Sequence, residues 1–527
     1  MARLQKLYPT AQAAVPPPTT QNHEGFPAYS PTPREAVAEL LFLGTLGTTF
    51  YAQAQEWADV TMQTLKEAVA ADPEWVARAA VAAREEGYVR AAPLVALAVL
   101  LAGPPRAQAY GRRIFDRIVR HGDDLRQFVG LNQARTIRAG FGGLARREVA
   151  RWLATRLDEY QAIKYAGTGD RLSLRNILRL AHPTPPTRER NAIFHWLVTG
   201  EVADPTLTPQ IAALAALGRG TMDPATAIVT GRLPFEAVMP RLTKADRHTW
   251  AALLPHAPYL FLLRSLAAMA RAGVWEDPAL VQQAADLLTD PVRVQRARVW
   301  PHQYWQALEA LQALQTREGT ATLQGALHAA MDLSLWQVPT VPPRTALALD
   351  VSGSMGSTRV TRDASAAVIG GLFTAALWKR QPAAILLPFG TDVMAVPWLA
   401  PQDSLATIAT HLSRIPGGGT DLSAPVRRLM DRRQPVDVFI GLTDSEDWAA
   451  GGGWRGQGFL AAWAAYRAQV APEARAILIQ LVPARTRVAP EGAGIHYVYG
   501  WSDAVLRYVG DILSGKTFAD RVAAVTL

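Results

Sequence analysis

At 527 residues the chain is longer than a single hydrophobic core usually supports, so two or more domains are expected. Its composition, 49% hydrophobic and 19% charged, predicts that most of it folds. The absence of cysteine excludes disulfides, zinc ribbons and thiol nucleophiles, and fits a reducing compartment. Net charge is +9, and residues 101–200 alone carry 18 basic against 8 acidic residues, 17 of the 18 being arginine. That window holds the whole excess. A localised arginine excess is the footprint of a polyanion partner more than of a generally basic surface. Arginine suits phosphate because its planar fork binds two oxygens and stacks on bases.

Residues 1–33 are Pro-rich and polar, with Pro16-Pro17-Pro18 and Pro31-Thr32-Pro33, and predict an extended arm. The N-terminus has no apolar core of signal-peptide length. The longest apolar run, Ala91 to Ala102, is too short to span a bilayer. A soluble, cytoplasmic protein with no membrane partner is expected. Residues 34–340 read as helical almost throughout, broken by Gly103-Pro104-Pro105, Pro183 to Pro186, Pro291 and Pro301. Asp72-Pro73-Glu74 is a helix-start signal. This much helix is too long for one bundle and predicts a stacked array of HEAT type with degenerate repeats.

The basic window has helical spacing. Arg113, Arg117 and Arg120 fall at i, i+4 and i+7, with Arg112 beside them. Arg171, Arg175 and Arg179 fall at i, i+4 and i+8. In that second stretch Leu174, Ile177, Leu178 and Ala181 form the apolar stripe, so the arginines face solvent. The stretch ends at His182-Pro183. Arg135, Arg138, Arg146, Arg147, Arg151, Arg156 and Lys164 add to the excess. A single such stripe would be an ordinary solvated helix face. Several of one sign within a hundred residues favour phosphate contact.

Residues 341–527 alternate strand and helix patterns, which predicts right-handed βαβ units on a parallel sheet. Ala346 to Leu349 is a short buried-strand pattern that stops at a Ser/Gly loop carrying Asp350, Ser352 and Ser354. Strands are also expected at Ala384 to Phe389, Val436 to Leu442, Ala476 to Val482 and near Ile495. Helices are expected over Asp363 to Trp378, Ser404 to Leu412, after Asp421, and over Leu460 to Ala468. Gly417-Gly418-Gly419-Thr420-Asp421 forms a glycine-rich loop, and the 436–442 strand ends at Thr443-Asp444. Asp350, Ser352, Ser354, Thr420 and Asp444 would then converge at the carboxyl edge of the sheet. A set of oxygens without sulfur or imidazole suits a hard divalent cation, Mg²⁺ first, with Mn²⁺ or Ca²⁺ as alternatives. No GxxxxGK[ST], no GxGxxG after a strand and no nucleophile elbow occurs. A HAD-type phosphatase would need a second Asp where Ser352 stands. No catalytic residue is assigned.

The ordered pieces DVSGS, GGGTD and LTDSE resemble a von Willebrand factor A domain with a metal-ion-dependent adhesion site. The helical half resembles the TROVE module of the Ro autoantigen family. That likeness is carried by Leu41-Phe42-Leu43-Gly44, Thr49-Phe50-Tyr51, Lys164-Tyr165, LSLRNILRLAHP from Leu172 to Pro183, ALLPHAP from Ala252, LLRSL from Leu262 and RVWPHQYWQALEAL from Arg298. The order of these pieces, followed by the A-type domain, resembles a bacterial member of the family over nearly the whole chain. The resemblance implies a mainly α solenoid of HEAT-like repeats forming a ring, closed by a Rossmann-like α/β domain. It implies Y RNA on an outer basic surface, single-stranded ends of misfolded or immature RNAs near the centre, and an exoribonuclease partner. RNA quality control, ribosomal RNA maturation or decay, and stress response would follow. Lys164 and His182 fall on family RNA-contact positions. The sequence departs from the family at AGTGD, one residue short, and at Ser265, where Asn is common. Monomer is the default expectation. The alternative is a metal-dependent protein-interaction adaptor whose helical half is a platform.

Overall fold

The computed structural model describes residues 16–22, 25, 27–43, 54–133, 137, 141–166, 172–242, 247–314, 319–360, 364–444, 458–492, 494–501 and 504–527. They form two compact units. One joins the described residues up to Thr64 with Leu335–Ala524. The other is Leu65–Ser334 with Val525–Leu527. Among the described residues no helix is long and apolar enough to cross a membrane.

The second unit is helical. Seven of its helices concern the basic window: α1 (Pro73–Glu85), α2 (Ala91–Ala102), α3 (Pro105–Ile118), α4 (Gly122–Gln133), α5 (Gly143–Arg156), α6 (Glu159–Tyr165) and α7 (Leu174–Ala181). The start signal at Asp72 works as expected. Its carboxylate accepts from the Trp75 N–H at 3.1 Å, with Pro73 in the first helical position. Helix α2 is apolar all round, and Ala92 to Leu101 are all buried. A helix of that kind can only be a core element, and α1, α3 and α4 pack against it. Helices α3 and α5 are one-sided. Ala107, Ile114, Phe115 and Ile118 face inward from α3, and Val149, Trp152 and Leu153 from α5. The Trp152 indole N–H donates to the Val119 carbonyl at 2.8 Å, satisfying a group left open at the end of α3. That bond sets the two arginine-bearing helices beside each other.

The α/β unit carries five parallel strands, β1 (Thr345–Asp350), β2 (Ile385–Phe389), β3 (Val438–Thr443), β4 (Arg475–Gln480) and β5 (Ile495–Tyr499), in the order β2-β1-β3-β4-β5. All residues of β1 and β3 are buried, which explains their continuous apolar runs. Register pairs Leu349 with Leu442 and Asp350 with Phe389, so the ends of the two central strands lie side by side. Helices Gly353–Ser357, Ala366–Arg380, Leu405–Ser413, Ser423–Asp431, Gly458–Gln469 and Ala504–Leu513 connect and cover the sheet.

The helix Pro33–Leu43 groups with this unit, although the sequence boundaries counted it with the helices that follow. The cause is a buried polar cluster. Glu39, 3% exposed, accepts from Gln480 Nε2 at 2.6 Å and from the Ala484 N–H at 2.7 Å, and pairs with Arg487. The Arg487 guanidinium lies over the Tyr497 and Tyr499 rings, 5.3 and 5.1 Å from their centroids. Partners 441 to 448 residues apart leave no local trace in the sequence.

Candidate metal centre and nucleic-acid interface

The five metal candidates lie on three loops at the carboxyl edge of the sheet. Asp350 ends β1 and is fully buried. Its Oδ1 accepts from the Ser352 N–H at 2.8 Å, and its Oδ2 from the Thr443 hydroxyl at 2.9 Å. The Ser352 and Ser354 hydroxyls lie 3.1 Å apart, both buried. Thr420 is fully buried on the glycine-rich loop, and its hydroxyl has no hydrogen-bond partner. Asp444 follows β3 at 1% exposure. Burial first, then the Asp444 charge, pushes the Asp350 carboxyl well above the usual aspartate range.

The loops are locked together. The Gly353 N–H donates to the Gly418 carbonyl at 3.1 Å, and the Asp421 N–H to that of Gly390 at 2.8 Å. A Cβ on Gly417 would lie 1.5 Å from the Val351 carbonyl oxygen, so only glycine fits there. Asp421 is held by Ser423 and by Arg427 at 2.7 Å, which leaves Thr420 as that loop's candidate. Two buried carboxylates, close enough for the charge of Asp444 to act on Asp350, and on a third loop a buried hydroxyl lacking a partner supply the kind of donors that a divalent cation would satisfy. Among the described residues no group of three or more His, Cys, Asp or Glu side chains could hold a metal. The candidate site therefore rests on hydroxyls as much as on carboxylates.

The basic candidates divide into three groups. Arg112, Arg117 and Arg120 are paired with carboxylates. Arg112 meets Glu148 at 3.1 Å; Arg117 and Arg120 both meet Glu85, at 2.7 and 3.1 Å. Arg151 bridges Glu148 at 2.9 Å and Asp116 at 2.7 Å, and Arg156 also reaches Asp116 at 3.4 Å. Each acid is thus shared by two guanidiniums, so every cluster keeps a net positive charge. Arg113, Arg146, Arg147 and Arg179 are exposed and make no ion pair among the described residues. Arg175, also exposed, donates to the Leu197 carbonyl at 3.0 Å. Arg135, Arg138 and Arg171 lie outside the described residues.

Two expectations change. Helix α3 ends at Ile118 and Val119 turns extended, so Arg120 does not continue the helical stripe of Arg113 and Arg117. It rejoins Arg117 through Glu85 instead. Lys164 is no open cation: it pairs with Glu236 at 2.8 Å and lies 5.8 and 5.7 Å from the Tyr160 and Tyr165 ring centroids. Burial is the largest single influence and works against its ammonium, but the Glu236 hydrogen bond and charge, with Tyr160 and Tyr165, together outweigh it and the pKa is raised. His182 caps α7 in a left-handed conformation, φ 50°, and is exposed. Leu174, Ile177, Leu178 and Ala181 are buried, the stripe their spacing predicts. Sequence reasoning missed Glu85, Asp116 and Glu148, which, the Arg151–Glu148 contact within α5 apart, organise the arginines from 32 to 40 residues away.

Residues 45–204 match the model of the TROVE domain, and residues 344–511 that of the Ro60 vWA domain. The chain is 29% identical over 454 residues to the RNA-binding protein RO60 of Deinococcus radiodurans, covering 81% of this chain and 83% of that relative. Its fold is similar to the crystal structure of the Deinococcus radiodurans RO (RSR) protein, with a TM-score of 0.70 and 24% identity over 92% of this chain and 100% of that one.

Proposed function

We propose that this Ro-family chain, a TROVE domain followed by a Ro60-type von Willebrand factor A domain, is a non-enzymatic RNA-binding scaffold. The observation that carries the proposal is the sharing of each carboxylate on α3 and α5 between two arginines, beside Arg113, Arg146 and Arg147, which make no ion pair among the described residues. The acids hold the guanidiniums in place without cancelling them. Such a surface would bind RNA through phosphate contacts, with affinity that falls as salt rises.

The RNA classes are small structured Y RNA and the single-stranded ends of misfolded or precursor RNAs. The cellular role is RNA quality control, ribosomal RNA maturation or decay with an exoribonuclease, and stress response. The protein would act in the cytoplasm as a monomer. Asp350, Ser352, Ser354, Thr420 and Asp444 would hold a divalent cation, Mg²⁺ first. That cation would neutralise the buried carboxylates and offer a coordination position to an acidic group of a protein partner.

The test is to sequence the RNA that co-purifies with the protein, with and without a high-salt wash. Bound RNA lost in high salt is expected. A protein that carries no RNA in low salt contradicts the reading. The partnerless Thr420 hydroxyl in the buried donor set favours one second reading, a metal-dependent protein adaptor. Salt dependence of RNA binding separates the two, and Asp350→Ala shows whether the candidate metal site and RNA binding are coupled. That variant should abolish Mg²⁺ binding and leave RNA affinity unchanged if the scaffold reading holds.

A further inference from the structure

A small aromatic platform lies beside the arginine clusters and has no part in the phosphate contacts. The His121 and Tyr165 rings stack with centroids 6.2 Å apart and planes 25° off parallel. Tyr165 is held by its surroundings. A Cβ on Gly122 would stand 2.9 Å from the Tyr165 Cβ, so the ring's base rests on bare backbone. The Lys164 ammonium lies over the same ring. His121 is fixed through its main chain, whose N–H donates to Asp124 Oδ2 at 3.1 Å. Asp124 is fully buried and is itself held by Arg84 at 2.5 Å and Arg90 at 2.9 Å. One side of the imidazole faces Tyr165, yet His121 remains exposed. A rigid, exposed ring of this kind is prearranged to receive another flat ring.

The neighbours say which ring. Arg120 precedes His121 in the chain and shares Glu85 with Arg117; Arg90, 48% exposed, lies alongside through Asp124. Guanidiniums beside an exposed stacked aromatic are the combination that holds single strands, phosphate on one and base on the other. Burial, then repulsion from Arg84, Arg90 and Lys164, lowers the imidazole pKa against the pull of Asp124, which favours the neutral ring. A neutral imidazole stacks on a base without the desolvation cost of a charge.

We propose that His121, backed by Tyr165, is a stacking platform for one nucleobase of a single-stranded RNA segment. The proposal rests on the RNA-binding reading and adds a base-dependent contact to its phosphate contacts.

The probe is an oligoadenylate of about ten residues, compared with an abasic ribose-phosphate oligomer of equal length, each titrated over a range of salt. His121→Ala is expected to weaken oligoadenylate binding about tenfold, or about 1.4 kcal/mol. The abasic oligomer's affinity and both salt slopes should stay unchanged. His121→Phe, which keeps a flat ring, should bind oligoadenylate within about twofold of the parent protein. Gly122→Ala, which pushes Tyr165 away, should reproduce the His121→Ala loss. Equal loss from both polymers, or loss from neither, overturns the proposal. If neither polymer binds the parent protein in a salt-dependent way, the RNA-binding reading fails and the platform with it.

Discussion

The candidate metal loops and the arginine face use charged groups in opposite ways. At the sheet edge, carboxylates and hydroxyls are buried and few, and the loop backbones leave no room for a Cβ at Gly417. On α3 and α5 the guanidiniums are partly exposed, numerous, and spread by shared acids. A buried site gains specificity from backbone packing and is intolerant of change. An exposed one gains affinity by summing contacts and tolerates the loss of any single one. The contrast teaches that damage should be abrupt at the first site and graded at the second.

The largest expected effect is at the loops. Gly417→Ala must displace the Val351 carbonyl, and the cost is expected to be about 3 kcal/mol or more. Gly418→Ala next door meets nothing within 4 Å and is expected to stay within about 1 kcal/mol. Urea denaturation of both variants breaks the comparison if their losses are equal.

Asp350 gives the next effect. Its pKa is raised in the folded state, so its contribution to stability is present below the ordinary aspartate range and is lost as pH rises through about 8. The metal-free protein should therefore weaken along that rise relative to Asp350→Asn, whose side chain carries no charge. Mg²⁺ at about a hundred times its dissociation constant should restore about 2.7 kcal/mol to the parent protein and nothing to Asp350→Asn. Thermal unfolding of the two proteins across pH, with and without Mg²⁺, checks this. An equal Mg²⁺ response in both would remove Asp350 from the metal set.

At the arginine face the effects are smaller and of the other sign. Glu85→Gln releases Arg117 and Arg120 from their shared partner. Stability should change by less than about 1 kcal/mol, as for exposed ion pairs. RNA affinity at low salt should rise about threefold, or about 0.7 kcal/mol. A fall in affinity would mean that Glu85 positions the arginines in a way their free charge cannot replace.

The two regions also differ in how far the sequence disclosed them. Strands β1 and β3 were legible because strands buried on both faces read as unbroken apolar runs, and Asp350, Ser352 and Ser354 sit within five residues of one another. Parallel topology places the ends of β1 and β3, and with them Asp350 and Asp444, at one edge. The arginine excess was equally visible, but its arrangement was not. Helical spacing carried the stripe past Ile118, where the chain turns extended at Val119 and the Val119 carbonyl is taken by Trp152. Apart from the Arg151–Glu148 contact within α5, the pairing acids sit on other helices, and the His121–Tyr165 stack joins residues 44 positions apart in sequence. Local periodicity holds no record of such partners. The same holds for Glu39, whose burial with Arg487 places the helix Pro33–Leu43 in the α/β unit.

The central claim is that the guanidiniums of α3 and α5 hold phosphates, and it is tested most directly by the salt dependence of binding to a single-stranded oligoribonucleotide. The parent protein should show a log–log slope of about −2 or steeper, at about −0.7 per phosphate contacted. Replacing Arg113, Arg146 and Arg147 together by Glu should make that slope shallower by about two, with the thermal transition unmoved. A slope near zero in the parent protein, or an unchanged slope in the triple variant, would contradict the account.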